Sequence, residues 1–193
     1  MPDAECLVKL VVTGGFGTGK TTLIGAVSEI TPLRTEAVLT QAGTTTDVLT
    51  GVEGKTTTTV ALDFGRLTFP DADPPVKVFF FGTPGQERFA HGWNSIAHGA
   101  LGTVVLVDTS RLEISFPSLT FAEKLGIPFA VAVNQFAHDP NHYTPQEVRD
   151  ALDLTADVPV ITCDARDPAS VARVLTALLT SLTRPPSPRG ASL

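Results

Sequence analysis

The chain has few cysteines: its 193 residues include only Cys6 and Cys163. A small secreted domain held by disulfides uses a larger, even and closely spaced set, so that class is excluded. The sequence has no C-x-x-C pair either, which argues against a zinc site built on cysteine. We therefore expect both cysteines to be reduced thiols in the core.

Basic residues are also scarce, with 14 Lys and Arg against 20 Asp and Glu and a formal net charge of −6. Binding to nucleic acid or to an acidic membrane needs a basic patch that replaces counterions, so no nucleic-acid partner is expected. No run approaches the ~18 apolar residues of a membrane span, and the start of the chain is acidic rather than signal-like. The expected location is cytoplasmic, without direct membrane insertion.

What the chain does have is the balance of a globular domain, with 42% hydrophobic and 18% charged residues. Its length fits one domain with a full core, which we expect over residues 1–183. From Arg184 the sequence becomes rich in Pro, Ser and Arg, and residues 184–193 are expected to be a disordered tail.

Short β-type runs alternate with helical patterns along the chain, which predicts repeated βα units. The expected fold class is α/β, with a six-stranded, mostly parallel sheet and helices on both faces. A longer segment, Thr57 to Phe69, alternates apolar and polar residues and is predicted to be one antiparallel edge strand. The buried strands are predicted at Leu7 to Val12, Val76 to Phe81, Thr103 to Val107, Phe129 to Val133 and Val158 to Thr162.

Two helices carry clear start signals. Thr144 and Glu147 form a capping-box pattern with Pro145 at the first helical position. Asp167-Pro168 precedes the last helix, which has an apolar stripe at helical spacing. The members of that stripe are Val171, Val174, Leu175, Leu178, Leu179 and Leu182.

A glycine-rich segment from Gly14 to Thr21 matches G-x-x-x-x-G-K-S/T between the first strand and a helical pattern. Glycines allow successive backbone N–H groups to surround a phosphate, and the helix N-terminus adds partial positive charge. Lys20 is expected at the β- and γ-phosphates and the Thr21 hydroxyl at Mg²⁺. The expected contacts to the nucleotide are Gly14, Gly15, Phe16, Gly17, Thr18, Gly19, Lys20, Thr21 and Thr22.

A second segment, Gly82-Thr83-Pro84-Gly85-Gln86-Glu87, follows a predicted buried strand and resembles the D-T-A-G-Q-E motif of Ras-like small GTPases. The resemblance implies a P-loop G domain with a second switch at about 83–99. It also implies that the Gly85 N–H meets the γ-phosphate and that Gln86 orients the attacking water. Trp93 beside this segment fits either a partner-facing anchor or a core residue.

The long segment before Thr59 and the run from Gly51 to Gly65 resemble one bacterial branch, the MglA-like and conservon-type small GTPases of actinobacteria. The resemblance implies a first switch at about 31–59 and makes Thr59 the switch threonine at Mg²⁺ and the γ-phosphate, with Thr58 as the alternative. It also implies a roadblock-fold regulator and a sensor-kinase-like membrane protein as partners, which would recruit the chain peripherally to a membrane.

The base site is implied by the same resemblance at the ends of two predicted strands. Asn134 occupies the place of the first residue of the N-K-x-D clamp and would brace the P-loop and the base pocket. Gln135 would lie along the base, the Ala165 N–H would meet the guanine carbonyl oxygen, and Arg166 would cover the other side.

Three positions depart from the family pattern. Gly82 replaces the aspartate that holds Mg²⁺ through water, so weaker metal binding is expected. Ala137 replaces the clamp aspartate, which leaves the choice between guanine and adenine open, and Asp139, two residues further on, is a candidate to take its place if the loop bulges. Phe16 replaces a glycine and is expected to slow hydrolysis. Asp108, at the end of a predicted strand, fits either a rival metal acid or a cap of the following turn.

The sequence therefore favours a GTP/GDP molecular switch with GTP/GDP and Mg²⁺ as cofactors and slow, partner-stimulated hydrolysis in bacterial signalling. The candidate catalytic residues are Lys20, Thr59 and Gln86, and the metal ligands are Thr21 and Thr59. Two alternatives remain open: an interaction module that binds nucleotide with little hydrolysis, and an ATP-using P-loop protein.

Overall fold

A computed structural model describes residues 5–40, 57–86, 90, 92–136 and 142–183. The expected C-terminal tail, and both Ala137 and Asp139 of the base clamp, lie outside these described residues.

In the part of the chain that the structure describes, the centre of the fold is a seven-stranded sheet in the order β2-β3-β4-β1-β5-β6-β7. The strands are β1 (Cys6–Gly14), β2 (Leu33–Thr40), β3 (Thr57–Phe69), β4 (Val76–Gly82), β5 (Gly102–Val107), β6 (Phe129–Asn134) and β7 (Val160–Cys163). The helices are α1 (Lys20–Val27), α2 (Trp93–Ala97), α3 (Phe116–Leu125), α4 (Pro145–Ala151) and α5 (Pro168–Thr183), with a 3-10 helix at Thr109–Ser115.

The predicted α/β class with a mostly parallel sheet is confirmed. Strands β4, β1, β5, β6 and β7 pair in parallel, whereas β3 pairs antiparallel with β4. The sheet has one strand more than predicted, because Leu33–Thr40 forms β2 and pairs antiparallel with β3. The outer position expected for β3 is therefore occupied by β2, and part of the expected first switch is a strand.

The side chains of the central strands point alternately to the two faces of the sheet, and helices cover both faces. Val104 and Leu106 of β5 lie in a core that includes side chains from α1 and α5, whereas Val105 and Val107 lie in a core with α3 and α4. Successive strand side chains point to opposite faces, so an uninterrupted apolar strand requires cover on both. Every residue of β5 is buried.

The helix signals in the sequence are confirmed by hydrogen bonds. The Glu147 N–H donates to Thr144 Oγ1 over 3.2 Å, and the Thr144 N–H donates to the Glu147 carboxylate over 2.8 Å. Asp167 accepts from the N–H groups of Ala169 and Ser170 at the start of α5. Among the described residues, no helix is long and apolar enough to cross a membrane.

The two cysteines have different environments. Cys163 is buried, and burial raises the pKa of its thiol to about 12. Cys6 is exposed, so the expectation that it lies in the core is wrong. Cys6 is the first residue of β1, and its neighbour Leu7 is also 61% exposed, so the buried part of this strand begins only at Val8.

Candidate nucleotide-binding site

The site forms where the carboxyl ends of several parallel strands meet at one edge of the sheet. The P-loop follows β1, Gly82 ends β4, Asn134 ends β6, and Asp164 to Arg166 follow β7. Open α/β sheets bind ligands in the crevice at this edge. The fold thus brings together the phosphate loop and the base-side residues predicted from sequence.

Glycine is required at the end of the P-loop, where the chain turns into α1. Gly19 has φ of 102°, which side chains rarely adopt, and a Cβ there would lie 2.7 Å from Asn134 Nδ2. Inside the loop, Thr18 is buried and its hydroxyl donates to the Gly15 carbonyl over 3.0 Å. The loop therefore leads directly into the N-terminus of α1, which is a favourable place for a phosphate.

Lys20 is the first residue of α1 and is 8% exposed. Its Nζ donates to the carbonyl oxygens of Gly14, over 2.8 Å, and Gly15, over 2.7 Å. Burial lowers the pKa of Lys20 to about 8, and the nearby charge of Asp63 acts in the opposite direction. The ammonium group thus lies within the loop, in reach of a phosphate bound there.

Thr21 follows Lys20 and is half-buried. Its hydroxyl donates a short hydrogen bond to Asp63 Oδ2 on β3. Asp63 did not emerge as a site residue from the sequence, where it is one acid within a predicted strand. Its contact with Thr21 depends on the register of β3, for which a single sequence gives no signal.

The segment after β4 lies against the P-loop. A Cβ placed on Gly85 would be 2.7 Å from Lys20 Nζ, 2.9 Å from Phe16 Cα and 3.0 Å from the Gly15 carbonyl oxygen. Gln86, the expected water-positioning residue, is exposed, and Phe16 is 68% exposed at the tip of the loop. The structure therefore brings Gly85 to the phosphate site, with Gln86 directly beside it in the chain.

Buried hydroxyl groups join this segment to β1 and α3. The Thr83 N–H donates to the Val12 carbonyl over 2.9 Å, and the Thr83 hydroxyl donates to Thr13 Oγ1 over 2.9 Å. The Thr13 hydroxyl in turn donates to Ser118 Oγ over 3.2 Å. All three hydroxyl groups belong to buried residues, so the start of the segment is firmly held.

Trp93 is a core residue, which decides between the two alternatives left by the sequence. It is 3% exposed and packs edge-on against Phe121 with ring centroids 5.2 Å apart. Its indole N–H donates to the Pro84 carbonyl over 3.2 Å. The side chain therefore links α2 to the segment that approaches Lys20.

On the base side, the Asn134 side chain joins two loops. Asn134 Nδ2 donates to the Thr18 carbonyl over 3.0 Å, and Asn134 Oδ1 accepts from the Ala165 N–H over 3.0 Å. This agrees with the predicted bracing role. The Ala165 N–H, however, is engaged by Asn134, so its predicted contact with a guanine carbonyl stays a prediction and requires that bond to be shared or replaced.

An open cleft of about 230 Å³ extends from Gly19 of the P-loop and Thr22 of α1 to the base-side residues. Gln135 and Phe136 line it from the end of β6. Arg166 lines it from the other loop and is held by Asp164 through guanidinium–carboxylate contacts of 2.7 and 2.9 Å. Hydrogen bonds from Arg166 lower the pKa of Asp164 to about 2.

Asp108 caps the 3-10 helix, which agrees with the turn-capping alternative. Asp108 Oδ1 accepts from the Ser110 N–H and hydroxyl, and Oδ2 accepts from Arg111 over 2.8 Å. Both carboxylate oxygens are therefore engaged by the turn that follows β5, and the arrangement gives no support to Asp108 as a metal acid.

Thr59 lies within β3, where its backbone is in register with Val38 of β2. Four residues of strand separate it from Asp63, a distance of about 13 Å at the usual rise per residue. Thr21, the other predicted metal ligand, contacts Asp63. The predicted metal contact of Thr59 stays a prediction.

The fold and the phosphate loop define a P-loop nucleotide-binding protein. The chain belongs to the family described as conserved hypothetical ATP binding protein, whose model matches residues 12–184. It is 32% identical over 130 residues to an uncharacterized protein of Methanocaldococcus jannaschii, covering 66% of this chain and 70% of that protein.

Among solved structures, the fold is similar to the cytosolic domain of the T. maritima FeoB iron transporter in its apo form. The TM-score is 0.63 at 15% sequence identity, and the match covers 93% of this chain. This chain spans 65% of the length of that solved chain. At such low identity the likeness shows the fold alone.

Proposed function

We propose that this protein is a small GTP-binding switch in bacterial signalling that hydrolyses GTP slowly in the presence of Mg²⁺. Lys20 and the P-loop amides bind the phosphates, and Gln86 positions the attacking water. The segments at about 31–59 and 83–99 take different conformations in the GTP and GDP states. The Mg²⁺ that accompanies the nucleotide neutralises phosphate charge, and Thr21 and Thr59 are its proposed protein ligands.

The observation that carries the switch proposal is the position of Gly85 against Lys20. The Lys20 ammonium group bonds to two P-loop carbonyls, and a Cβ on Gly85 would be 2.7 Å from it. A bound phosphate would replace the P-loop carbonyls as the hydrogen-bond partner of the Lys20 ammonium group. Because Gly85 lies against that group, the phosphate would bind next to Gly85. The presence of a γ-phosphate is thereby coupled to the segment that carries Gln86.

The base preference is proposed from Asn134 and from the resemblance to Ras-like GTPases. Asn134 connects the P-loop to Ala165, so the base pocket and the phosphate loop share one side chain. Gln135 and Arg166 are proposed to lie on the two sides of the base. A second candidate, an ATP-using protein, is favoured by the description of the matching family, which names ATP.

The partners are proposed by family resemblance to conservon-type GTPases. A roadblock-fold regulator would act on the switch segments, and a sensor-kinase-like membrane protein would recruit the chain to the membrane. The buried position of Trp93 favours partner contacts through the backbone and exposed residues of this region rather than through the indole ring.

A single-turnover hydrolysis assay tests the enzymatic part of the proposal. We expect the wild-type protein to convert bound GTP to GDP with Mg²⁺ and the Gln86→Leu variant to lose this activity, because Gln86 is proposed to orient the water. Gln146→Leu is a matched control, since Gln146 is also an exposed glutamine but lies on α4 and does not line the cleft. Equal residual rates in wild type and Gln86→Leu would favour the binding module without hydrolysis.

The same assay with ATP tests the second candidate. If guanine is preferred, ATP at equal concentration is hydrolysed more slowly than GTP. Faster hydrolysis of ATP would replace the GTP proposal with the ATP-using alternative.

A further inference from the structure

The end of β4 lacks the acid that the Ras-like resemblance implies at this point. Gly82 is buried there and has no side chain to offer to a metal. The strand next to it, β3, runs antiparallel and places Asp63 directly in register with Gly82. A carboxylate is therefore present at the same level of the sheet, on the neighbouring strand.

The spacing between the two strands leaves room for only one acid. A Cβ added to Gly82 would lie 3.1 Å from Asp63 Cβ and 3.5 Å from Asp63 Oδ2. Such close contact is compatible with glycine opposite Asp63, but an aspartate at 82 would crowd it. Glycine at position 82 is therefore what allows the carboxylate of Asp63 to lie on the neighbouring strand.

The position of Asp63 fits a magnesium site. Its Oδ2 accepts from the hydroxyl of Thr21, the residue expected to ligate Mg²⁺ after the P-loop lysine. Mg²⁺ prefers oxygen ligands and takes one or two from the protein together with nucleotide phosphates and water. A hydroxyl and a carboxylate side by side at the phosphate loop provide that donor set.

We propose that Asp63 replaces the missing acid of β4 and, together with Thr21, holds Mg²⁺ or its bound water beside the nucleotide phosphates. The inference rests on the proposed function, because the metal is expected to arrive with the nucleotide. It assigns the metal site an acid from β3, which explains how a chain with glycine at 82 can retain dependence on Mg²⁺.

The test is the rate at which fluorescent GDP leaves the protein at a series of Mg²⁺ concentrations and in EDTA. For wild type, EDTA is expected to accelerate release. In Asp63→Asn, which keeps the size of the side chain, the Mg²⁺ concentration for half-maximal retention is expected to rise about 10- to 100-fold. The rate in EDTA is expected to stay close to that of wild type, because no metal is present in either protein.

A matched control and a rescue separate a metal role from a structural one. Asp71→Asn removes the same charge from an exposed turn and is expected to leave the Mg²⁺ dependence unchanged. The double variant Asp63→Gly with Gly82→Asp moves the acid to β4 in the space that Asp63 vacates. This double variant is expected to recover most of the Mg²⁺ dependence that Asp63→Asn loses.

The outcomes distinguish this inference from the proposed function. If wild type retains GDP in a Mg²⁺-dependent manner and folded Asp63→Asn does so at the same Mg²⁺ concentrations, Asp63 is not the metal acid, although the nucleotide site stands. If wild type binds no guanine nucleotide, the proposed function itself fails. If Asp63→Asn does not fold, the double variant decides: Mg²⁺-dependent retention supports the inference, and its absence overturns it.

Discussion

Asn134→Ala should lower both the free energy of unfolding and the affinity for GDP. The side chain is 6% exposed and satisfies the Thr18 carbonyl and the Ala165 N–H, each over 3.0 Å. Each buried group left without a partner costs about 1–3 kcal/mol, so the loss of both contacts should lower the free energy of unfolding by about 2–6 kcal/mol. Affinity for GDP should fall at least about tenfold, or about 1.4 kcal/mol, because the P-loop and the base-side loop lose their shared brace.

Urea unfolding and fluorescent GDP binding measure the two effects separately. Gln146→Ala is the matched control, since this exposed amide lies on α4, does not line the cleft and should change stability by less than about 0.5 kcal/mol. Asn134→Asp should also lose stability, because it keeps the acceptor for Ala165 but places a carboxylate oxygen against the Thr18 carbonyl. The bracing role would be refuted if Asn134→Ala matched wild type in both stability and affinity.

Three further predictions follow from the described contacts. The emission of Trp93, the single tryptophan, should change when GDP is exchanged for a non-hydrolysable GTP analogue, because its indole N–H bonds to the Pro84 carbonyl; identical spectra would argue against movement of this segment. Asp108→Asn should lower the free energy of unfolding by about 1 kcal/mol through the weakened cap, without altering the Mg²⁺ dependence of GDP release, and an altered dependence would revive Asp108 as a metal acid. At pH 8 a thiol reagent should modify one cysteine of the native protein and both in urea, since burial raises the pKa of Cys163 to about 12 and keeps it protonated, while Cys6 is exposed; native Cys6→Ser should not react.

The parallel core of the fold was predictable because its signals are local. An apolar run such as β5 has to be covered on both faces, and a capping box such as Thr144 with Glu147 fixes a helix start within four residues. By contrast, the sequence predicts a first switch at about 31–59 and does not indicate strand β2 within it. Leu33–Thr40 becomes a strand through pairing with β3, and that pairing depends on residues 17 to 31 positions further along the chain.

The residues of the candidate site also fall into those that the sequence predicts and those that depend on strand pairing. The P-loop, Gly85 and Asn134 were predictable, because each is carried by a short motif at the end of a strand. Asp63 was not, since its importance comes from lying opposite Gly82 in the register of β3 with β4. A one-residue slip in that register would turn the carboxylate to the other face of the sheet.

The most direct test of the GTP-binding proposal is a competition experiment in which unlabelled GDP and ADP displace fluorescent GDP from the wild-type protein in Mg²⁺. The account predicts that ADP must be present at more than ten times the concentration of GDP to displace the same fraction. A ratio below about tenfold, corresponding to less than about 1.4 kcal/mol of preference, would contradict a guanine-specific switch.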